Sequence, residues 1–230
     1  MPNWITNLIV ATGQPEDLLG LAQHFVPDED GNLRFDFETF IAMPDVVVAT
    51  TEFHSGHTGL AALGIELGDP DIPRSSISDL LQRSWAREAG ITSQADLLEH
   101  LKAHDATALV AAERLVACHE ATGCVDWYDW SVRNWGTKWN AALTSVDDLE
   151  PDTRRILFDT ALSMPEPIFR ELGRRHPQLE FDIYSLDLND ESAIEGAVAG
   201  ECATFRPADV SEIHEVIFGY PPEGDDDEAD

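Results

Sequence analysis

The prediction of the fold starts from the stretch WITNLIVATG, residues 4–13. Its main apolar residues are Ile5, Leu8, Ile9 and Val10. With β-branched residues at positions 5, 6, 9 and 10, this pattern favours a buried β-strand that ends before Gly13. Pro15 and the two acidic residues after it are typical of the first turn of a helix, so the strand leads into a helix.

Outward from this strand, the first forty residues predict a β-α-β unit. Apolar residues recur at helical spacing between Pro15 and Pro27. Beyond the turn signal Asp30-Gly31, apolar residues at 33, 35 and 37 alternate with charged residues, which predicts a half-buried strand.

The second half of the chain predicts a β-α-β-β pattern followed by a last helix. The expected elements are a short helix at 127–134, strands at 138–144 and 154–162, a helix at 168–175, an extended segment at 179–188, a strand at 193–205 and a helix at 209–218. Two β-α-β units around one antiparallel sheet predict an α+β fold of the ferredoxin-like kind, with the helices on one face of the sheet.

Residues 69–124 predict a helical insertion into a single domain that spans residues 1–220. The helical patterns lie at 75–89, 93–104 and 107–121. The stretch 56–73 holds four glycines and two prolines and predicts a loop. Residues 221–230 carry six acidic residues and no apolar residue larger than alanine, so we expect a disordered acidic tail.

The charge balance restricts the classes of partner. The chain has 44 acidic and 14 basic residues and a formal net charge of −30. Nucleic acids and anionic membranes are bound by basic surfaces, so we expect direct binding to neither. No apolar run approaches the roughly 20 residues of a membrane span. The first residues, MPNW, lack the pattern of a signal peptide, and three cysteines make no disulfide framework, so a cytoplasmic location is expected.

The acidity itself has three interpretations. A salt-adapted proteome produces such an excess of carboxylates, and a GC-rich genome favours arginine over lysine, of which the chain has twelve and two. The third interpretation is a DNA mimic, whose carboxylates imitate phosphates and occupy a DNA-binding enzyme. Acidic surfaces are usually only solvated, which favours the first two.

One aromatic segment, residues 126–145, is the first candidate site. Its candidate binding residues are Trp127, Trp130, Arg133, Asn134, Trp135, Lys138, Trp139 and Asn140. They form a dense group of amphipathic side chains in which basic residues outnumber the acidic Asp129, so a protein partner or a small anion is a plausible ligand. The alternative is that the tryptophans belong to the core and the basic residues pair with nearby carboxylates.

Other motifs give weaker candidates. His54 and His57, beside Glu52, form an H-x-x-H pair of the type that ligates zinc, and Cys118, His119 and Cys124 form a looser set. Neither set has the spacing of a structural zinc site. No nucleophile-elbow, phosphate-loop or dinucleotide motif is present, and an acid–base site from residues such as Asp159 has no spacing to support it. Three cysteines are too few for an iron–sulfur cluster, and no cofactor is predicted.

Four stretches carry a resemblance to a known family. They are MPNWITNLIVATG at 1–13, FETFIAMP at 37–44, WYDWSVRNWGTKWNA at 127–141 and FDTALSMPEPIFRELGRRHP at 158–177. Together they resemble the YubB-like family, ferredoxin-like proteins of plasmids and phages, and leave 69–124 uncovered. The family often has Cys after the first Trp, where this chain has Ile5, so no thiol function follows at that position.

The resemblance implies a ferredoxin-like fold and a mobile-element context, and it implies no reaction. We therefore expect a non-catalytic accessory protein of a plasmid or phage that binds a protein partner. Two alternatives remain open at this point: an acidic, DNA-mimicking inhibitor of a host DNA-binding or defence protein, and a small metal-dependent enzyme.

Overall fold

The computed structural model of the protein describes residues 3–28, 30–51, 55–67 and 76–222. Its contacts divide the chain into two units. The first unit joins Met1–Ala42 to Ser131–Asp230, and the second is the intervening Met43–Trp130. The acidic residues 223–230, which form most of the predicted tail, lie outside the described residues.

Eight strands and ten α-helices are described. The strands are β1 (Trp4–Thr12), β2 (Phe25–Pro27), β3 (Leu33–Phe35), β4 (Ala142–Glu150), β5 (Thr153–Ala161), β6 (Glu180–Asp187), β7 (Ser192–Ala199) and β8 (Cys202–Ala208). The helices are α1 (Pro15–Leu19), α2 (Asp45–Val48), α3 (Gly56–Leu63), α4 (Ile77–Leu81), α5 (Ser84–Glu88), α6 (Gln94–His104), α7 (Ala106–Thr122), α8 (Trp127–Asn134), α9 (Glu166–Arg175) and α10 (Val210–Phe218). Short 3-10 helices lie at Gly20–His24 and Phe37–Thr39.

An antiparallel six-stranded sheet forms the first unit, in the order β4-β5-β1-β6-β7-β8. The α+β class with an antiparallel sheet is therefore confirmed. Strands β2 and β3 form a separate two-stranded ribbon, so the strand predicted near residue 33 does not join the main sheet. The strand predicted at 193–205 is a hairpin, because Gly200 turns the chain at a φ of 57° between β7 and β8.

Helices cover both faces of this sheet, which corrects the expectation that they lie on one face. On one face Ile213 and Ile217 of α10 pack with Leu8 of β1 and Leu186 of β6. On the other face Phe169 of α9 contacts Phe158 of β5 edge-on, with ring centroids 6.3 Å apart. The physical reason is that β1 and its neighbours carry apolar side chains at both odd and even positions, so both faces need cover.

The second unit is helical. Helix α3 packs on α7, and a Cβ at Gly59 would lie 2.1 Å from the carbonyl oxygen of Ala108, so the contact requires glycine. The stretch 56–63 is thus helical, although its glycines predict a loop. The single helix predicted at 75–89 is two helices, since the backbone at Arg83 is extended between α4 and α5. Helices α4 to α7 occupy the described part of the predicted insertion.

Asn7 links three strands of the first unit and is fully buried. Its side-chain Nδ2 donates to the Thr160 hydroxyl of β5 at 2.9 Å and to the Ile5 carbonyl at 3.0 Å. Its Oδ1 accepts from the Ser185 hydroxyl of β6 at 2.7 Å. Because buried polar groups are stable only when they are bonded, this asparagine fixes the register of β1 against both neighbours.

The Asn7→Ala variant tests this role. We expect the free energy of unfolding to fall by about 2–3 kcal/mol, because the buried Ser185 hydroxyl loses its acceptor and the Thr160 hydroxyl loses a donor. The matched control is Asn189→Ala, which removes an exposed asparagine from the turn between β6 and β7 and should stay within about 1 kcal/mol of the parent. Urea unfolding of the three proteins measures the difference, and equal losses would show that Asn7 does not fix the register.

A buried histidine pair joins the segment after β1 to α9. The Nε2 atoms of His24 and His176 lie 2.8 Å apart, and His24 Nδ1 lies 2.8 Å from the Thr39 hydroxyl. Burial lowers the pKa of His24 to about 4, with smaller contributions from His176 and Arg175. Burial also lowers the pKa of His176. Both rings are therefore neutral in the folded protein at neutral pH.

Stability should fall between pH 6.5 and 4 because of this pair. The unfolded chain protonates His24 at its ordinary pKa of about 6.5, whereas the folded chain does so only near pH 4. At pH 5 this difference costs about 2 kcal/mol of unfolding free energy relative to pH 7. The His24→Gln variant should lose about that much less between the two pH values, and the exposed His104→Gln control should match the parent. Parallel denaturant curves at pH 7 and 5 for all three proteins decide the matter.

Candidate functional site

The predicted aromatic segment is divided between the two units. The division falls inside α8, between Trp130 and Ser131. Trp127 and Trp130 therefore belong to the helical unit, and the other six predicted binding residues belong to the sheet unit.

In the helical unit, Trp130 is a core residue with an exposed fraction of 5%. Trp127 is half-buried, and its backbone N–H donates to the Thr50 hydroxyl at 2.9 Å. The ring of Trp127 stands edge-on to Tyr128. These contacts give both tryptophans packing roles within their unit.

In the sheet unit, Trp135 and Asn140 are part of the scaffold. Trp135 is 4% exposed, stands edge-on to Phe37 and donates its indole N–H to the Ile41 carbonyl at 2.8 Å. The Asn140 side chain accepts from the Phe37 N–H at 2.9 Å and donates to the Asp36 carboxylate at 2.5 Å. The core interpretation of the segment therefore holds for these two residues.

The exposed part of the segment is different. Trp139 is 37% exposed and contacts Trp4, which is 39% exposed, with ring centroids 6.0 Å apart and ring planes at 41°. The Lys138 ammonium lies 4.3 Å from the centroid of the Trp139 ring. Arg133 is exposed and Asn134 half-buried on the last turn of α8. Of the predicted residues, Lys138 and Trp139 thus meet at the surface, and Trp4 is a partner that sequence reasoning missed.

Two exposed leucines are close to these residues along the chain or through the sheet pairing. Leu162 directly follows β5, and its N–H donates to the Asn3 carbonyl at 2.8 Å, next to Trp4. Leu143 lies where the β4–β5 register shifts, and it is 83% exposed. Both have a positive φ, 80° at Leu162 and 49° at Leu143, which is an unfavourable backbone conformation for leucine. We name the set Trp4, Lys138, Trp139, Leu143 and Leu162 the aromatic corner.

Asp159 stands beside the aromatic corner on the sheet. It faces Thr6 in the β1–β5 register, and Ala161, two residues further along β5, faces Trp4. Side chains two positions apart on one strand point to the same face, so Trp4, Thr6 and Asp159 share a face. Burial raises the pKa of Asp159, and a hydrogen bond with Thr6 partly opposes the rise. This carboxylate has no pairing arginine or lysine among the described residues.

Among the candidate metal and nucleophile residues, His57 and Cys118 have hydrogen-bond partners, whereas the buried Nδ1 of His119 has none within the described part of the chain. His54 lies outside the described residues, and so does Glu52. His57 Nε2 lies 3.2 Å from an Asp126 carboxylate oxygen. Burial raises the pKa of the Cys118 thiol, the reverse of what a nucleophilic cysteine needs. Within the described residues, no three His, Cys, Asp or Glu side chains come together as a metal site, and no helix has the length and apolarity of a membrane span.

The free energy of unfolding should distinguish the buried Trp135 from the partly exposed Trp139. Trp135→Ala should cost about 3–5 kcal/mol of unfolding free energy, because it leaves a cavity and a carbonyl without its donor. Trp139→Ala should cost less, about 1–2 kcal/mol, because the residue already has 37% of its surface exposed. Chemical denaturation of the two variants provides the comparison. A large loss from Trp139→Ala would place that ring in the core.

The chain shows little similarity to known proteins. No protein-family model matches the chain, and no curated protein matches it. Among solved structures, the chain is similar to the protein api92 from Yersinia pseudotuberculosis, which carries the family description DUF1281. The TM-score is 0.45 and the identity 13%, over 90% of this chain and 99% of that one.

Proposed function

We propose that the protein is a non-catalytic binding module that docks a protein partner through the aromatic corner. The observation that carries the proposal is the contact between two tryptophan rings that each remain more than a third exposed, at 39% and 37%. Tryptophan is enriched among the few residues that dominate the binding energy of protein interfaces, because one ring removes a large apolar area from water and loses little conformational entropy.

The surroundings of the two rings support the same function. The exposed leucines of the corner add apolar area, and their positive φ angles hold them in a conformation that sterics disfavour. Backbone strain of this kind concentrates at functional sites. Lys138 supplies a polar group at the rim, as protein interfaces commonly have around an apolar centre.

We also propose that the sheet contains a ferredoxin-like core. The sheet order β4-β5-β1-β6, with α9 between β5 and β6 in the chain, is the order expected of a ferredoxin-like core. Strands β7 and β8 and helix α10 then extend that core. With the YubB-like resemblance, this supports a cytoplasmic accessory protein of a plasmid or phage. The net charge of −30 supports a protein partner over a nucleic acid.

Affinity capture tests the proposal. The full chain, tagged at its C-terminus, is used to capture proteins from a lysate of its bacterial host, and the partner is identified, purified and titrated. Trp4→Ser with Trp139→Ser should weaken binding by about thirtyfold or more, the loss of a typical hot spot. Leu19→Ser is the control: it removes an exposed leucine beyond the opposite end of β1 and should leave the affinity unchanged.

Two results would contradict the proposal. The first is a partner whose affinity is the same for the double tryptophan variant and the parent, when both have the parent's thermal unfolding midpoint. The second is a partner that is released by duplex DNA and is insensitive to the tryptophans, which would favour the acidic inhibitor.

A further inference from the structure

We infer that the aromatic corner accepts an arginine side chain from its partner, with the guanidinium paired to Asp159 and stacked beside Trp4. This inference rests on the proposed function and names the chemistry that the corner recognises. The carboxylate of Asp159 has no arginine or lysine paired with it among the described residues.

The register places the carboxylate within reach of the ring. Thr6 is opposite Asp159, and Trp4 is opposite Ala161. Trp4 and Asp159 are therefore diagonal neighbours on two adjacent strands, a relation in which Cα atoms lie about 7–8 Å apart and an aromatic side chain reaches across. A ligand beside Trp4 consequently meets the carboxylate on the same face.

The carboxylate is accessible and available for pairing. Asp159 is half-buried, so part of it remains open to a ligand. Its only hydrogen-bond partner among the described residues is Thr6. Arg155, further along the same face of β5, donates to the carbonyls of Val216 and Ile217 at 3.5 and 2.9 Å and so holds the end of α10. The partial burial that raises the pKa of Asp159 also strengthens its attraction for an incoming cation.

Arginine fits this chemistry better than lysine does. Its planar guanidinium pairs with a carboxylate through two parallel hydrogen bonds and stacks on aromatic faces, and it loses its hydration more readily than an ammonium group. Lys138 already lies on the Trp139 ring, so Trp4 is the ring left for the incoming cation. The net charge of −30 adds a long-range attraction for a basic partner surface.

Nuclear magnetic resonance titration tests the inference without the natural partner. The probe is the peptide acetyl-Gly-Arg-Leu-Gly-amide, and the same peptide with citrulline in place of arginine is the neutral control of equal shape. The signal followed is the Trp4 indole N–H, assigned with Trp4→Phe. The arginine peptide should shift this signal and saturate it, whereas the citrulline peptide should bind at least about tenfold more weakly.

Charge variants complete the experiment. Asp159→Asn should weaken binding of the arginine peptide by about tenfold, because it removes one member of a partly desolvated ion pair. Asp147→Asn removes the same charge from an exposed site on β4 and should change the affinity less than twofold. If Asp159→Asn perturbs the fold, the comparison of arginine with citrulline on the parent protein still decides.

The inference is overturned if the two peptides bind alike, if Asp159→Asn and Asp147→Asn behave alike, or if the arginine peptide leaves the Trp4 signal unshifted at 10 mM. In those cases loss of the natural partner in the double tryptophan variant would still support the proposed function. Retention of that partner would instead contradict the proposed function, whatever the peptides do.

Discussion

The hydrogen bonds of Asn7 connect the strands on which the rest of the first unit is built. This side chain bonds to Thr160 on one side and Ser185 on the other, so β1 has one register against each neighbour. The side-chain period of a strand is two, and a slip by one residue would exchange its two faces. A polar group at the centre of the sheet thus specifies which apolar residues meet α9 and which meet α10.

The aromatic corner depends on the same register. Trp4 is at the start of β1, three residues before Asn7, and the pairing that holds Asn7 also sets Trp4 opposite Ala161 and Thr6 opposite Asp159. Lys138 is tied to this place because its N–H donates to the Ala161 carbonyl at 3.3 Å. Trp4 and Trp139, which are 135 positions apart in the sequence, therefore form one surface.

Local sequence patterns predicted the elements of this fold well where one period dominates. The strand predicted to begin at Trp4 and end before Gly13, the helix at 127–134 and the helix at 209–218 lie within a residue or so of the observed bounds. Errors arose where contact between elements overrides local preference. Gly59 signals a loop, yet it lies inside α3 because only glycine permits the approach to Ala108.

Local sequence patterns also identified only part of the candidate site. Composition identified the aromatic segment, but periodicity does not distinguish Trp135, whose indole bonds within the core, from Trp139, whose ring is at the surface. Trp4 and Asp159 join the site through pairing between strands far apart in sequence, which no local pattern contains. The sequence does not distinguish Asp159 from the other acidic residues, of which the chain has 44 in all. Only the strand register places Asp159 near Trp4.

The two edge strands of the sheet, β8 and β4, determine whether a strand of another molecule can pair with it. At one edge, β8 contains Pro207, which has no N–H to offer a further strand. At the other edge, β4 is interrupted by two shifts of register and carries Asp147, Asp148 and Glu150. Prolines, bulges and charges on edge strands act as gatekeepers against polymerisation. Both edges of the sheet therefore disfavour the addition of a strand from another molecule, although the surface carries an exposed tryptophan pair.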